Sequence, residues 1–129
     1  MMILVVDGQG GGLGRLLVRE LKGAFPQAEI AAVGTNSTAA NAMMKAGADF
    51  AATGENAVVV NCRHADIIVG AVGIVIADSM WGEITPRMAQ AVGQGLQEGF
   101  RKRGLLAVGV EVLFQRQRVV RPVHAAQQV

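Results

Sequence analysis

Apolar and polar positions fall along the chain in blocks rather than singly. Met2 to Val6 is an unbroken apolar run, the pattern of a strand buried on both faces. A polar, glycine-rich stretch follows. Leu13, Leu16, Leu17 and Leu21 then recur at helical spacing with Arg15, Arg19, Glu20 and Lys22 between them. This predicts an amphipathic helix over Arg15 to Ala24, packed on a sheet and ended by Phe25-Pro26. Ala28 to Val33 predicts a second strand, closed by Gly34-Thr35-Asn36-Ser37. Thr38 to Ala46, rich in Ala and Met, predicts a second helix that ends at Gly47. Ala48 to Ala52 predicts a short third strand, Ala57 to Arg63 a short helix, and Ile67 to Val69 a fourth strand. Ile74 to Met80 is apolar nearly throughout and fits either a helix or a turn followed by a strand. Thr85 is an expected N-cap with Pro86 at the first helical position. Met88, Ala89, Ala91 and Val92 continue that helix, and Gly93, Gly95 and Gly99 weaken its end. Leu105 to Phe114 predicts a final strand.

Alternating strands and helices imply an α/β fold: a mostly parallel sheet with helices on both faces, in three layers. One domain is expected over residues 1–115, followed by a basic flexible tail over 116–129. Ligands of such sheets sit beyond the carboxyl ends of the strands. The polar loops predicted there are Asp7 to Gly14, Gly34 to Ser37, Thr53 to Asn56 and Gly70 to Gly73. Asp78 to Glu83, with the single Trp81, is a further candidate.

The stretch Asp7-Gly8-Gln9-Gly10-Gly11-Gly12-Leu13-Gly14 carries the strongest functional signal. Five glycines in seven residues stand between a strand and a helix. Glycine tolerates positive φ and has no Cβ to hold a phosphate away, and a helix N-terminus offers free N–H groups and partial positive charge. The stretch misses the G-x-G-x-x-G dinucleotide fingerprint because position 13 is Leu. Read as G-x-x-x-G-x-G through Gly8, Gly12 and Gly14, it resembles the short-chain dehydrogenase/reductase family. That family's chemistry requires a Tyr with a Lys four residues on, and this chain has no tyrosine. Together with Ala46-Gly47-Ala48-Asp49, Thr53-Gly54-Glu55-Asn56-Ala57 and Gly82-Glu83-Ile84-Thr85-Pro86, the loop also resembles a family of small, uncharacterised Rossmann-like bacterial proteins, a domain of unknown function. The likeness runs to about residue 95. It implies a Rossmann-like fold and no established activity.

The second strand's end bears on cofactor choice. NAD-binding versions of the fold place an acid there for the ribose 2′-hydroxyl. Here Gly34, Thr35, Asn36 and Ser37 stand instead, with hydroxyl and amide donors and no basic residue nearby. The residues point away from NAD and toward NADP or a mononucleotide; Asn36 or Ser37 also serves as a helix cap. Gly54, Glu55 and Asn56 complete the expected binding set of Asp7, Gly8, Gln9, Gly10, Gly11, Gly12, Leu13, Gly14, Gly34, Thr35, Asn36 and Ser37.

Composition narrows the classes. Net charge is +2, too small by itself to point to nucleic acid, which is not an expected partner. Arg101, Lys102, Arg103, Arg116, Arg118 and Arg121 face the single acid Glu111 toward the end of the chain. Cys62 is the only cysteine, which fits a reducing, cytoplasmic compartment. No basic n-region or cleavage site marks a leader. The longest apolar run, Ile67 to Ala77, contains Gly70 and Gly73 and falls short of the roughly 20 residues of a membrane span. Cys62 and His64 are too few, and wrongly spaced, for a metal site. Asp7, Glu55, Asp78 and Glu83 are the available carboxylates, and Asp7 reads as a hydrogen-bonding group at a strand end. No catalytic set is evident.

Three functions follow: a (di)nucleotide-binding module using NADP, NAD or another phosphate-bearing nucleotide; a small NADP-dependent oxidoreductase completed by a second subunit; or an oligomeric interaction protein with a vestigial glycine loop. The apolar surplus from Ile74 to Met80, with Trp81, predicts a homo-oligomer.

Overall fold

The computed structural model describes residues 1–103. In chain order the elements are β1 (Met2–Asp7), α1 (Gly12–Ala24), β2 (Glu29–Gly34), α2 (Ser37–Lys45), β3 (Phe50–Thr53), α3 (Glu55–His64), β4 (Ile67–Val69), a short 3-10 helix (Val72–Val75) and α4 (Pro86–Arg103). The strands form one parallel sheet in the order β3-β2-β1-β4. Chain direction across the sheet reverses after β3, so β1 and β4 flank the switch point.

Alternation of side chains along each strand builds two cores. Ile3, Val5, Ile30 and Ala32 pack with Leu17, Val18 and Leu21 of α1 and Met43 of α2. Leu4, Val6, Ala31 and Val33 pack with Val58 of α3 and Met88 and Val92 of α4. The sheet is covered on both faces, which explains why its strands are unbroken apolar runs. The result is a three-layer Rossmann-like α/β fold. No helix among the described residues is long and apolar enough to cross a membrane.

Some boundaries differ from expectation. β3 starts at Phe50 rather than Ala48. Asp49 instead turns back, its Oδ2 accepting from the Ile30 N–H at 2.7 Å and from Lys22 Nζ at 2.6 Å. α4 runs on through its glycines to Arg103. At Gly95 a Cβ would lie 2.5 Å from Ile68 Cδ1, so this glycine permits close packing rather than ending the helix. The segment from Ile74 to Met80 is neither a long helix nor a strand. Ile74 is buried, and half-buried Val75 and Met80 pack against the second core, so part of the apolar surplus is taken up within this chain. Ile76 stays 50% exposed and Trp81 98% exposed. The expected strand Leu105 to Phe114 and the tail 116–129 lie outside the described residues.

Helix α1 provides a test of how tightly these layers close. A Cβ on Gly14 would meet Met43 Sδ at 2.5 Å and Asp7 Cβ at 2.8 Å, whereas one on Gly23 would meet nothing. Gly14→Ala should destabilise the protein by about 1–3 kcal/mol through overpacking. Gly23→Ala should stabilise it by up to about 1 kcal/mol through backbone entropy. Urea denaturation should move the two midpoints in opposite directions.

Candidate functional site

All four strands end at one edge, and the turn leaving β1 forms its centre. The chain turns at Gln9 (φ 51°) and Gly11 (φ 73°) before α1 begins. The Gly11 N–H donates to the Gly8 carbonyl at 3.0 Å, and the Gly14 N–H donates to Asp7 Oδ2 at 2.6 Å. The glycines then divide into two groups. A Cβ on Gly8 would meet Thr35 Oγ1 and Met80 Sδ, one on Gly11 the backbone of Ala39, and one on Gly14 Met43 and Asp7. These three are required by the protein's own packing. Gly10 and Gly12 face open space. Within this loop the glycines that packing requires are thus Gly8, Gly11 and Gly14.

Hydrogen-bond bookkeeping makes the same division. Among the described residues, the N–H groups of Gly10, Gly12 and Leu13 have no protein acceptor, while those of Gly11, Gly14 and Arg15 are satisfied. Three free donors therefore stand together at the N-terminus of a 13-residue helix, where the backbone dipoles favour an anion.

Asp7 is 5% exposed. Burial raises its pKa and the charge of Glu83 adds to the rise, against the N–H bonds from Gly14 and Gly8, which lower it. With Oδ2 committed to Gly14, Asp7 ties the strand end to the first turn of α1. It acts as the expected structural group.

The loop between Val75 and Thr85 delivers the second carboxylate. Asp78, Met80 and Trp81 have positive φ (65°, 55° and 58°), as does Gly82 (87°). Such backbone is costly for non-glycine residues. The Asp78 N–H to Ile84 carbonyl bond at 2.7 Å and the Ile84 N–H to Ser79 carbonyl bond at 3.3 Å close the loop, and fully buried Ile84 anchors it. Its outcome is the placement of Glu83. Glu83 Oε1 accepts from the Gln9 N–H at 2.9 Å, Thr35 Oγ1 at 2.7 Å and Asn36 Nδ2 at 2.8 Å. The Thr35 hydroxyl, then the Gln9 N–H, and also the Asn36 amide hold its pKa below the ordinary glutamate value against a smaller opposing effect of burial. Glu83 is an anion at neutral pH. In the sequence Glu83 stands among the available carboxylates and in the candidate stretch Asp78 to Glu83, but nothing local there signals its bonds to Gln9, Thr35 and Asn36.

The other expected residues separate. Asn36 is the N-cap of α2: its Oδ1 accepts from the Ala39 N–H at 2.8 Å, and its amide also donates to the Gln9 carbonyl at 2.9 Å. Thr35 and Asn36, expected to be free for a 2′-phosphate, thus already serve Glu83. Gly34 packs against the backbone of Ala40 and Asn36, and Ser37 is exposed on the first turn of α2. Gly54, Glu55 and Asn56 are not joined to the glycine loop. Glu55 Oε2 instead accepts from Thr85 Oγ1 at 2.5 Å, while that hydroxyl caps α4 by accepting from the Met88 N–H at 3.1 Å. Side chains from the segment after β4 pack onto the turns at the strand ends. Ile74 closes on Gly70, and Met80 closes on Gly8.

Elsewhere, a groove of about 460 Å³ between α1 and α2 is lined by Arg15, Arg19, Thr38, Asn41 and Lys45. Cys62 is buried, and burial pushes its thiol up to about 12, which disfavours the thiolate at neutral pH. No group of three or more His, Cys, Asp or Glu among the described residues could hold a metal ion.

A family model described as a domain of unknown function (DUF3842) matches residues 2–100. That span covers the sheet, the glycine loop and Glu83. No curated protein matches the chain.

The two carboxylates titrate with opposite effect. Glu83 has a lowered folded pKa, so its contribution to stability is present above the ordinary glutamate value of about 4.3 and is lost as pH falls through the depressed one. Asp7 has a raised folded pKa, so its contribution is present at acid pH and lost as pH rises through that value. Glu83→Gln should therefore be less stable than wild type at neutral pH, and its deficit should shrink as pH falls below the ordinary glutamate range. Thermal unfolding across this range checks the sign; a pH-independent deficit would contradict it.

Proposed function

The chain belongs to the DUF3842 family, and on the geometry of its site we propose that it is a nucleotide-binding module. The observation that carries this reading is the set of unpaired N–H groups at Gly10, Gly12 and Leu13, with open space over both glycines. A phosphate there gains several backbone hydrogen bonds and the favourable end of α1 without displacing any protein contact. The candidate ligands are NADP, NAD or another phosphate-bearing nucleotide. Packing of Ile74 on Gly70 and of Met80 on Gly8 leaves less room beyond the strand ends and favours a site for one nucleotide unit. The chain has no tyrosine for reductase chemistry, and Asp7 is spent on holding α1. These features favour a sensor or carrier over an enzyme.

One observation supports a second reading, in which a homo-oligomer shares or completes the site. Trp81 is 98% exposed at the tip of the loop that carries Glu83. A large aromatic so placed is a typical interface anchor. A small NADP-dependent oxidoreductase would need such a second subunit to supply its missing chemistry.

Calorimetric titration with NADP, NAD, ATP and FAD should give at least one Kd below about 1 mM, roughly −4 kcal/mol. Gly12→Val should abolish this binding while leaving the fold intact, because its side chain enters space that only the anion uses. For assembly, sedimentation at micromolar concentration should show a dimer or larger. Trp81→Ala should weaken it by about 2 kcal/mol or more if Trp81 is a hot spot, whereas a wild-type species at monomer mass would remove the second reading.

A further inference from the structure

We propose that Glu83 is the specificity-determining residue of this site, selecting nucleotides whose ribose hydroxyls are free and rejecting those with a phosphate on the ribose 2′-oxygen. This rests on the nucleotide-binding reading and reverses the NADP preference expected from Gly34 to Ser37. The second strand ends without an acid, but the fold supplies one from 47 residues beyond Asn36. Gln9, Thr35 and Asn36 come from the turn after β1 and the turn after β2, and all three donate to one oxygen of Glu83. That oxygen is saturated and fixed. Among the described residues no hydrogen bond engages Oε2.

The chemistry of a carboxylate decides what this second oxygen can take. An ionised carboxylate only accepts hydrogen bonds. It can receive ribose hydroxyls and repels a phosphate at short range. The donors that would otherwise receive a 2′-phosphate, the Thr35 hydroxyl and the Asn36 amide, are turned toward Glu83. The 5′-phosphate is served elsewhere, by the free N–H groups of Gly10, Gly12 and Leu13. The site thus offers a positive end for one phosphate and a fixed negative charge beside it. Gly8 is part of the same device: a Cβ there would lie 3.3 Å from Glu83 Oε1 and 2.8 Å from Thr35 Oγ1. The strained loop through Asp78, Met80 and Trp81 is the backbone that brings the charge to this point.

The test compares matched ligands on the full chain by calorimetry at neutral pH and low salt: NAD against NADP, and AMP against adenosine 2′,5′-bisphosphate. Wild type should bind the member without the 2′-phosphate tighter by about tenfold or more, and added salt should narrow the gap by screening. Glu83→Gln, verified as folded by thermal unfolding, should bring each pair to within about twofold. The salt series on wild type needs no variant, so a misfolded Glu83→Gln would not leave the matter open. Equal binding of both pair members by wild type would overturn the selection and leave the nucleotide reading standing. A gap that persists in folded Glu83→Gln and in high salt would also overturn it. Binding of none of the four ligands would defeat the nucleotide reading itself.

Discussion

The structure depends on a close approach at the carboxyl end of β1. There the Asp7 carboxylate accepts from the Gly14 N–H at 2.6 Å, and Gly14 itself lies against Met43 and Asp7 with no room for a Cβ. This contact brings α1 down onto the strand that precedes it, and through Met43 it fixes α2 as well. Burying a carboxylate is unfavourable unless hydrogen bonds offset it. Backbone donors rather than a basic partner offset part of that cost at Asp7, so the site gains no counter-ion. Beside this contact the N–H groups of Gly10, Gly12 and Leu13 have no acceptor among the described residues, as is usual for the first N–H groups of a helix.

A second carboxylate completes the local electrostatics. Glu83 ties the loop before α4 to the turns after β1 and β2 through three hydrogen bonds to one oxygen. The two acids differ in environment and therefore in behaviour. Asp7 is pushed toward its neutral form by burial, and Glu83 is held ionised by its donors. The edge of the sheet thus carries a helix N-terminus with open donors on one side and a fixed anion on the other. Met80 packs over Gly8 and Ile74 over Gly70 at the same edge.

The parts of this that are legible in sequence are those encoded by local patterns. Met2 to Val6 and Ala28 to Val33 read as strands because both of their faces are buried, and the leucine spacing after Gly14 reads as a helix for the same reason. Thr85-Pro86 marks the start of α4 because capping is a matter of a few adjacent residues. The illegible parts are set by distant contacts. Gly95 resembles a helix breaker until Ile68 is seen against it. Asp49 looks like strand until its bonds to Ile30 and Lys22 are known. Ile74 to Met80 fits no regular element because Asp78 and Met80 within it, and Trp81 next to it, adopt backbone that local preference disfavours. Within the site, the glycine stretch was legible as a whole, but its division into packing and open positions was not. Glu83 was unreadable as a partner of Thr35 and Asn36, since nothing in its vicinity in the chain refers to them.

The central claim is that the unpaired amides at the start of α1 receive a phosphate. Backbone amide NMR on ¹⁵N-labelled protein during titration with AMP tests it residue by residue. The account predicts saturable shifts concentrated at Gly10, Gly12 and Leu13, with smaller changes at Gly11 and Gly14, whose N–H groups already have acceptors. Unchanged resonances at Gly10, Gly12 and Leu13, with or without shifts elsewhere, would contradict it.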